Sequence, residues 1–482
     1  NKLDKLIWSK IKSIYLLTYI LMNNITGINT KIKHFSKIFK DNRTYEVFKS
    51  IIMWILCLKD WKQWDLANVW WKTLSQIQYF FYKSNWSYSL LNTFRVEWIR
   101  NKVWWCIDKK WDVLILDATI MAKNNKSNFS GLANWFFSNR DKKVVNWLEV
   151  FWASIYTQSW IKYMLDLAIF YKKQILNSKD KRKWSLMNEL WRKFIIKMVW
   201  KTKAWLIVLD SGFKWADTCK WIYQVAKRHF LVRISQTQKF FTKSWDEFKI
   251  EQLLKDNTAS VFGNWKMWVF KDVLLKSWSK KWFNIYITII VYKVNWAKNP
   301  VVLSTSADLE DVYENMIRKL WDPSWKEKIK QKDENNSKTL SFWWVENEIY
   351  GCFVILYRKR WSIEECFKEL KSYLCFETFK VTSYESIMKY FHIVLLVHTL
   401  LTIMVYRLYL NDNSFNYIYA FLKEKRNMKK KKWDNLKQVT LIWLKLFIEM
   451  IFQTWWVCKI KGKHKKTLAE LTKTSICVRS CL

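Results

Sequence analysis

Residues 357–371 carry side chains suited to phosphodiester chemistry. On a helix of 3.6 residues per turn, Tyr357, Arg360, Glu364 and Lys371 fall within about 60° of one another around the axis. A carboxylate on such a face can hold a divalent metal ion, while the flanking cations neutralise phosphate oxygens. An ordinary surface helix with i,i+4 ion pairs shows the same charge pattern, so this segment alone leaves both interpretations open.

Two upstream segments each end in an aspartate. Residues 113–117 and 206–210 are short apolar runs rich in branched residues, which predicts buried strands ending in Asp117 and Asp210. A carboxylate there is costly to ionise unless a cation compensates it, so with Glu364 the two aspartates predict a shared metal site. Three carboxylates suit Mg²⁺ or Mn²⁺, and two ions are expected. Taken singly, each aspartate also fits a helix cap or a turn.

The pattern Tyr-x2-Arg-x3-Glu-x6-Lys, preceded by two strand-borne aspartates, resembles the signature of bacterial insertion-sequence transposases. These enzymes use an Asp-Asp-Glu triad to cut and paste their DNA, and the resemblance covers about residues 50–410. It implies a homodimer assembled on double-stranded DNA, with terminal inverted repeats and target DNA as partners. The residues it implies are Asp117, Asp210 and Glu364 as the catalytic and metal-binding triad, and Tyr357, Arg360, Lys368 and Lys371 as DNA-binding residues.

The spacing fits an α/β fold with a ribonuclease-H-like catalytic core. Between the aspartates, which are 93 residues apart, we predict a hairpin at 144–156 and a helix at 180–199. The 154 residues from Asp210 to Glu364 exceed what one helix and one strand need, which indicates a β-rich insertion. Its strand-like runs are 259–270, 283–294 and 301–304.

The sequence therefore divides into five predicted regions. They are a helical DNA-binding domain at 1–106, the first part of the catalytic core at 107–234, the β-rich insertion at 235–346, the second part of the core at 347–410, and a basic helical C-terminal region at 411–482. In the relatives the insertion contacts the transposon end, so the resemblance implies phosphate-binding side chains there.

Helices are predicted in both terminal regions. The N-terminal ones span 3–22, 45–58, 66–82 and 89–100, with Asp65 as a helix cap, and the C-terminal one spans 436–452 after a basic linker. The second part of the core holds the apolar run 391–406, which at 16 residues with two histidines is short for a membrane span. A buried helix is the better interpretation.

Charge and cysteine usage favour a nucleic-acid partner in a reducing compartment. With 83 Lys+Arg against 41 Asp+Glu, the formal net charge is +42, which favours binding to DNA phosphates over a small-molecule substrate. An AT-rich genome also raises the lysine content. Nine cysteines without a C-x-x-C pair or a signal-peptide pattern predict reduced thiols in the cytoplasm.

The high tryptophan content raises the question of how the UGA codons of the gene are translated. The chain has 36 Trp and only 6 Gly, whereas average glycine usage of about 7% predicts roughly 34. Trp also stands at turn-like positions such as Trp147, Trp160 and Trp265. We hypothesise that many of these residues are glycines in a host that reads UGA as glycine; a truly Trp-rich protein is the alternative.

Three functions fit these observations. The first is an active cut-and-paste transposase, and the second is a metal-dependent nuclease or resolvase of the same fold that performs no strand transfer. The third is a non-catalytic, DNA-binding remnant of a mobile element. The intact triad argues against the remnant, whereas a start at Asn1 fits a truncated copy.

Overall fold

The computed structural model shows a mixed α/β protein. It describes residues 30–57, 73–102, 112–122, 134–138, 143–157, 162–170, 183–210, 216–256, 260–262, 265–275, 285–294, 297, 299–308, 311, 340–374, 376 and 381–410. By internal contacts the chain forms two units, one of Asn1–Val103 with Cys366–Leu482 and one of Trp104–Glu365. The five predicted domain boundaries therefore stay predictions.

The helices are α1 (Asn42–Cys57), α2 (Leu74–Tyr82), α3 (Tyr88–Lys102), α4 (Lys183–Trp200), α5 (Ala216–Lys220), α6 (Ile250–Asp256), α7 (Leu340–Lys359), α8 (Trp361–Tyr373) and α9 (Tyr384–Leu410). The strands are β1 (Val113–Ala122), β2 (Asn134–Ser138), β3 (Lys143–Tyr156), β4 (Lys162–Phe170), β5 (Leu206–Leu209), β6 (His229–Ile234), β7 (Lys239–Phe241), β8 (Glu247–Lys249), β9 (Ser260–Phe262), β10 (Trp265–Leu275), β11 (Ile287–Val294) and β12 (Val301–Thr305).

The unit Trp104–Glu365 is built on a twelve-stranded sheet. Its continuous path runs β2-β3-β1-β5-β6-β12-β11-β10-β7-β8, while β4 pairs with β3 and β9 with β10. Strands β1, β5 and β6 are parallel neighbours, and the apolar residues of their paired segments, 113–116, 206–209 and 230–232, are buried, as expected of parallel strands covered on both faces. Helix α4 packs on β3 and β4, where the Phe151 ring lies against Trp191.

Sheet register brings the two predicted aspartates together. Strand β1 pairs with β5 from Val113↔Leu206 to Leu116↔Leu209. Asp117 and Asp210 are the next residues in the two segments. Asp117 was predicted to end its strand, but β1 continues to Ala122 through its pairing with β3. The aspartate thus lies where the parallel pairing stops and the antiparallel pairing continues.

Residues 144–156, predicted as a hairpin, form one strand instead. Strand β3 pairs antiparallel with β1, β2 and β4 and continues through Asn146 and Trp147, the pair read as a turn. The prediction was wrong because the run of β-branched and aromatic residues on either side favours extended backbone across the whole segment. The helix predicted at 180–199 corresponds to α4.

The strands predicted for the insertion extend the same sheet. The runs at 259–270, 283–294 and 301–304 correspond to β9, β10, β11 and β12. Strand β12 pairs antiparallel with β6, so the sheet passes without a break from the β1-β5-β6 strands to those that follow Ser235.

The unit of Asn1–Val103 with Cys366–Leu482 is helical in its described part. Helix α9 packs against α1, α2 and α3, and residues 386–401 are buried throughout. Its window Tyr384–Met404 has a mean hydropathy of 1.7, enough to cross a membrane by composition, but 94% of that window is buried inside the protein. The prediction of a buried helix is confirmed, and such burial is typical of a core helix.

Two of the four predicted N-terminal helices match α1 and α3. The third was predicted from residue 66 with Asp65 as its cap, but α2 begins at Leu74. Thr73 caps it with a capping box, in which the Thr73 side chain accepts from the Gln76 backbone and the Gln76 side chain from that of Thr73. The predicted helices 3–22 and 436–452, the basic linker and Asp65 lie outside the described residues.

One exposed tryptophan adopts a backbone conformation that favours glycine. Trp245, in the turn between β7 and β8, has φ +66° and is 56% exposed. A Cβ in the left-handed region costs roughly 1–2 kcal/mol, which glycine avoids. At this turn the backbone conformation therefore agrees with the hypothesis that some of the tryptophans are glycines.

Candidate active site

Arg360 lies at the centre of the three predicted carboxylates. Its Nη1 donates to Asp117 Oδ2 at 2.9 Å and its Nη2 to Glu364 Oε1 at 2.8 Å. Its Nε lies 3.8 Å from Asp210 Oδ1, an ion-pair distance too long for a hydrogen bond. The structure thus brings together residues that are 93 and 154 positions apart in the chain.

The helix predicted to carry these side chains is two helices. Helix α7 ends at Lys359, α8 begins at Trp361, and Arg360 is the turn between them, with i→i+3 hydrogen bonds from Arg360 N to Tyr357 O and from Ile363 N to Arg360 O. The surrounding sequence holds no Pro or Gly, so no local signal announces the break. Tyr357, Arg360 and Glu364 nevertheless lie close to the two aspartates.

Arg360 is largely buried, and its predicted role in binding DNA phosphates stays a prediction. Its side chain is 14% exposed, against 11% for Asp117, 33% for Asp210 and 32% for Glu364. Burial lowers the pKa of the guanidinium, but Asp117 and Asp210 outweigh that effect, so the pKa of Arg360 lies above its ordinary value. The arginine therefore stays charged between the carboxylates.

Asp117 is the least exposed of the three carboxylates. Burial raises the pKa of Asp117, the charge of Arg360 lowers it, and the negative charges of Asp210 and Glu364 raise it again, so that together they bring it to about 7. The Ala118 backbone N–H donates to its Oδ1 at 2.8 Å. One guanidinium is thus too little positive charge to hold this carboxyl fully ionised at neutral pH.

Tyr357 lies beside the second aspartate. Its hydroxyl donates a long hydrogen bond of 3.4 Å to Asp210 Oδ1, and its ring lies 5.8 Å from the Arg360 guanidinium. The side chain is buried, and burial raises the pKa of the phenol well above its ordinary value. Tyr357 is therefore a neutral donor.

A basic, aromatic cleft of about 750 Å³ adjoins the triad. The cationic side chains in its lining include Arg233, Arg358, Lys359 and Arg360, and its rings include Tyr156, Tyr292, Tyr357 and Trp361. Lys359 lies 5.2 Å from the Tyr156 ring centroid, and Glu365, the one acidic group among the described residues of the lining, pairs with Lys162 at 2.8 Å. Such a lining suits a phosphate backbone with stacked bases.

Sequence reasoning missed most of this lining. Arg358 and Lys359 stand inside the signature segment, where the run Arg-Lys-Arg was a usable signal. Arg233, on β6, and Tyr292, on β11, reach the cleft through sheet pairing, which no local pattern announces.

The remaining predicted DNA-binding residues lie further along α8, in the helical unit. Lys368 is exposed and Lys371 is half-buried. Their DNA-binding role stays a prediction.

The donor set fits a divalent metal ion. Three carboxylates supply the hard oxygen ligands that Mg²⁺ and Mn²⁺ prefer, and a cationic group, the guanidinium, already stands among them. When all three are ionised, Arg360 leaves two negative charges for one divalent ion to neutralise. Among the described residues the Arg360 Nε–H has no hydrogen-bond partner, so the contact with Asp210 is loose.

Comparison with known families agrees with this geometry. Residues 195–400 match a family model described as a transposase DDE domain. The match supports a DDE transposase family. It spans less than half of the 482-residue chain, and it includes Asp210, Arg360 and Glu364 but not Asp117. No curated protein matches the chain.

The transposase domain match has consequences for chemistry. It implies a nuclease or transposase enzyme that acts on DNA, of a family that generally depends on divalent metal ions. The mixed α/β fold is compatible with that family. The match thus supports a transposase of a mobile element that acts in DNA recombination, and it does not identify the insertion-sequence group.

Proposed function

We propose that the protein is a cut-and-paste transposase of an insertion sequence, with Asp117, Asp210 and Glu364 as its catalytic triad. The observation that carries the proposal is their convergence around Arg360, at 2.9, 3.8 and 2.8 Å. Arg360 offsets only one of the three carboxylate charges, and the remaining repulsion is costly without a further cation, so a purely structural role explains the arrangement poorly.

Strand order supports a ribonuclease-H-like core around this triad. The antiparallel strands β4, β3 and β1 continue into the parallel strands β5 and β6, with Asp117 on the central β1 and Asp210 just after β5. In open α/β sheets the carboxyl ends of parallel strands are the usual place for a site. Strands β7–β12 then correspond to the proposed β-rich insertion.

Asp117, Asp210 and Glu364 would hold Mg²⁺ or Mn²⁺, two ions in the full proposal. When bound, the ions would activate a water molecule or a 3′-hydroxyl and stabilise the leaving oxygen. A cation among the carboxylates would also favour the ionised form of Asp117, whose pKa of about 7 otherwise leaves it partly protonated at neutral pH.

The chain's own residues position the DNA. In the adjoining cleft, Arg233 and Arg358 would neutralise phosphate oxygens, and the Tyr156 ring is a surface on which a base can stack. Tyr357, neutral and hydrogen-bonded to Asp210, would hold that carboxylate in orientation. Arg360 would leave its central place as the metal ions enter, and then lie near the scissile phosphate.

Joining two element ends requires that both be held together, which favours a homodimer on DNA. With a net charge of +42, assembly with DNA should be strongly salt-sensitive, because each phosphate contact that releases a counterion steepens the slope of log K against log salt. Sizing the protein with and without an element end across a salt series tests this. Salt-indifferent binding, or one-to-one complexes that still excise the element, would contradict it.

Cleavage of the element's own ends tests the catalytic proposal. Labelled DNA fragments spanning the sequences on either side of the coding region are incubated with the full-length protein and Mg²⁺, Mn²⁺ or Ca²⁺. We expect nicking at fixed positions, and then joined products, with Mg²⁺ or Mn²⁺. Asp117→Asn, Asp210→Asn and Glu364→Gln should each abolish both.

Asp272→Asn is the matched control. Asp272 is exposed, pairs with Lys243 and lies on β10, and asparagine tolerates its φ of +53° equally well. It should cut like the parent chain. Cleavage without joining would favour the nuclease or resolvase, and DNA binding without cleavage the remnant. Full activity of any triad variant would refute the site assignment.

A further inference from the structure

Three side chains of different ligand type meet inside the helical unit. Cys366 and Glu369 lie on α8 and His398 on α9, and their Sγ, carboxylate oxygen and ring nitrogen lie within 4.8 Å of one another. Cys366 is 0%, Glu369 7% and His398 1% exposed. Neither the transposase chemistry nor the DNA-binding cleft uses any of them.

The local sequence explains why the ligands share one face. Cys366 and Glu369 are three residues apart, so one turn of α8 presents both side chains in the same direction. His398 Nε2 approaches Glu369 Oε2 at 3.1 Å. Its Nδ1 has no hydrogen-bond partner among the described residues, so Nε2 is the nitrogen directed at the cluster.

We propose that Cys366, Glu369 and His398 bind one zinc-type divalent metal ion that fastens α8 to α9. A point shared by three atoms at most 4.8 Å apart lies within about 2.8 Å of each, and shifts of about 0.5–0.8 Å reach zinc–ligand lengths of about 2.0–2.3 Å. A thiolate, a carboxylate and an imidazole suit Zn²⁺, whereas Mg²⁺ prefers oxygen ligands alone.

Charge balance favours the same occupant. A thiolate and a carboxylate together carry two negative charges, which a divalent ion neutralises, so the filled site is neutral as a whole. Without the ion, two acidic groups and an imidazole share a dry interior in which any ionised member is costly. With three protein ligands, water would fill the fourth position of a tetrahedral zinc shell. By joining α8 to α9, which packs against α1, α2 and α3, the ion would stabilise the helical unit.

Metal analysis of the full-length protein tests the proposal. The protein is purified without a metal-affinity tag under reducing conditions, and its zinc content is measured by inductively coupled plasma mass spectrometry. We expect one zinc per chain that excess Mg²⁺ does not displace. Removing it with a strong chelator should lower Tm, and adding Zn²⁺ should restore Tm. In place of zinc, Co²⁺ should give a thiolate-to-metal charge-transfer band.

Matched variants separate metal binding from general damage to the core. Cys366→Ser and His398→Gln should lower the zinc content by about tenfold or more and abolish the cobalt band. Cys219→Ser and His392→Gln should leave both unchanged. Cys219 is fully buried in the other unit, and His392 is buried on α9, with Nδ1 at 2.8 Å from Met388 O.

Parent protein without stoichiometric zinc, and without a cobalt band on titration, would overturn the proposal even if every variant folds poorly. The cluster would then be a Glu369–His398 hydrogen bond beside a thiol.

Discussion

Arg360→Met should destabilise the metal-free protein and increase its response to metal ions. Methionine keeps most of the aliphatic stem of Arg360 and removes its charged guanidinium, which lies 5.8 Å from the Tyr357 ring. Breaking a buried ion pair costs about 3–5 kcal/mol, and a surface pair about 0–1 kcal/mol. Asp117 is nearly buried, whereas Asp210 and Glu364 are about a third exposed and partly screened, so the Asp117 pair should dominate.

From this we expect a loss of about 3 kcal/mol at pH 8 with a chelator present. The loss should be smaller at pH 6, since the pKa of Asp117 is already about 7 with the arginine in place and rises further without it. Protonated Asp117 no longer needs a cation. Mg²⁺ should restore much of the lost stability, by about 2.7 kcal/mol at a hundred times its Kd.

Urea unfolding of the parent and of Arg360→Met, with a chelator and with Mg²⁺, at pH 6 and pH 8, measures both losses and the recovery with Mg²⁺. Lys243→Met is the control, because it breaks the exposed pair with Asp272 at 2.8 Å and should cost no more than about 1 kcal/mol. If Mg²⁺ stabilises the parent as much as Arg360→Met, the guanidinium does not stand in for the metal cation, and the reasoning fails.

Three further predictions concern other parts of the chain. Burial raises the pKa of Glu149 from 4.5 to about 7, so protonated Glu149 stabilises the folded protein at low pH and this stability is lost as pH rises through 7. Between pH 4 and pH 8, the free energy of unfolding of Glu149→Gln should therefore rise by about 3 kcal/mol relative to that of the parent. Parallel stability curves would contradict this. Trp245→Gly should be about 1 kcal/mol more stable than Trp245→Ala by thermal unfolding, and equal stabilities would show that φ +66° carries no cost. Mass spectrometry of the protein from its native host would show glycine there if UGA is recoded. Lys371→Ala should weaken binding of cleaved DNA ends while leaving Tm within about 2–4 °C, and an unfolded variant would make the lysine structural.

Local signals predicted the strands well and their partners poorly. The branched apolar runs before Asp117 and Asp210 are buried strands, as their composition indicates. That the two aspartates are neighbours depends on parallel pairing between β1 and β5, a long-range choice. The capping box that begins α2 was readable in the sequence, because Thr73 is followed three residues later by Gln76.

The environment of Arg360 shows why a motif does not reveal burial. The signature places the arginine four residues before Glu364, a spacing that a surface ion pair shares. Its hydrogen-bond partner Asp117 is 243 residues away in the chain, so the burial of the guanidinium arises only on folding. Residue types at a site could be read from the sequence, but solvent access could not.

The pairing of β6 with β12 has a consequence for how the chain is made. Strand β6 is complete at Ile234, but its neighbour on that side begins at Val301. At a synthesis rate of about 5–20 residues per second, several seconds pass before the ribosome has added β12. During that interval the apolar edge of β6 is open to pairing with other nascent chains. Slower elongation between residues 235 and 300 should therefore lower the yield of native protein, and a chaperone that shields strand edges should raise it.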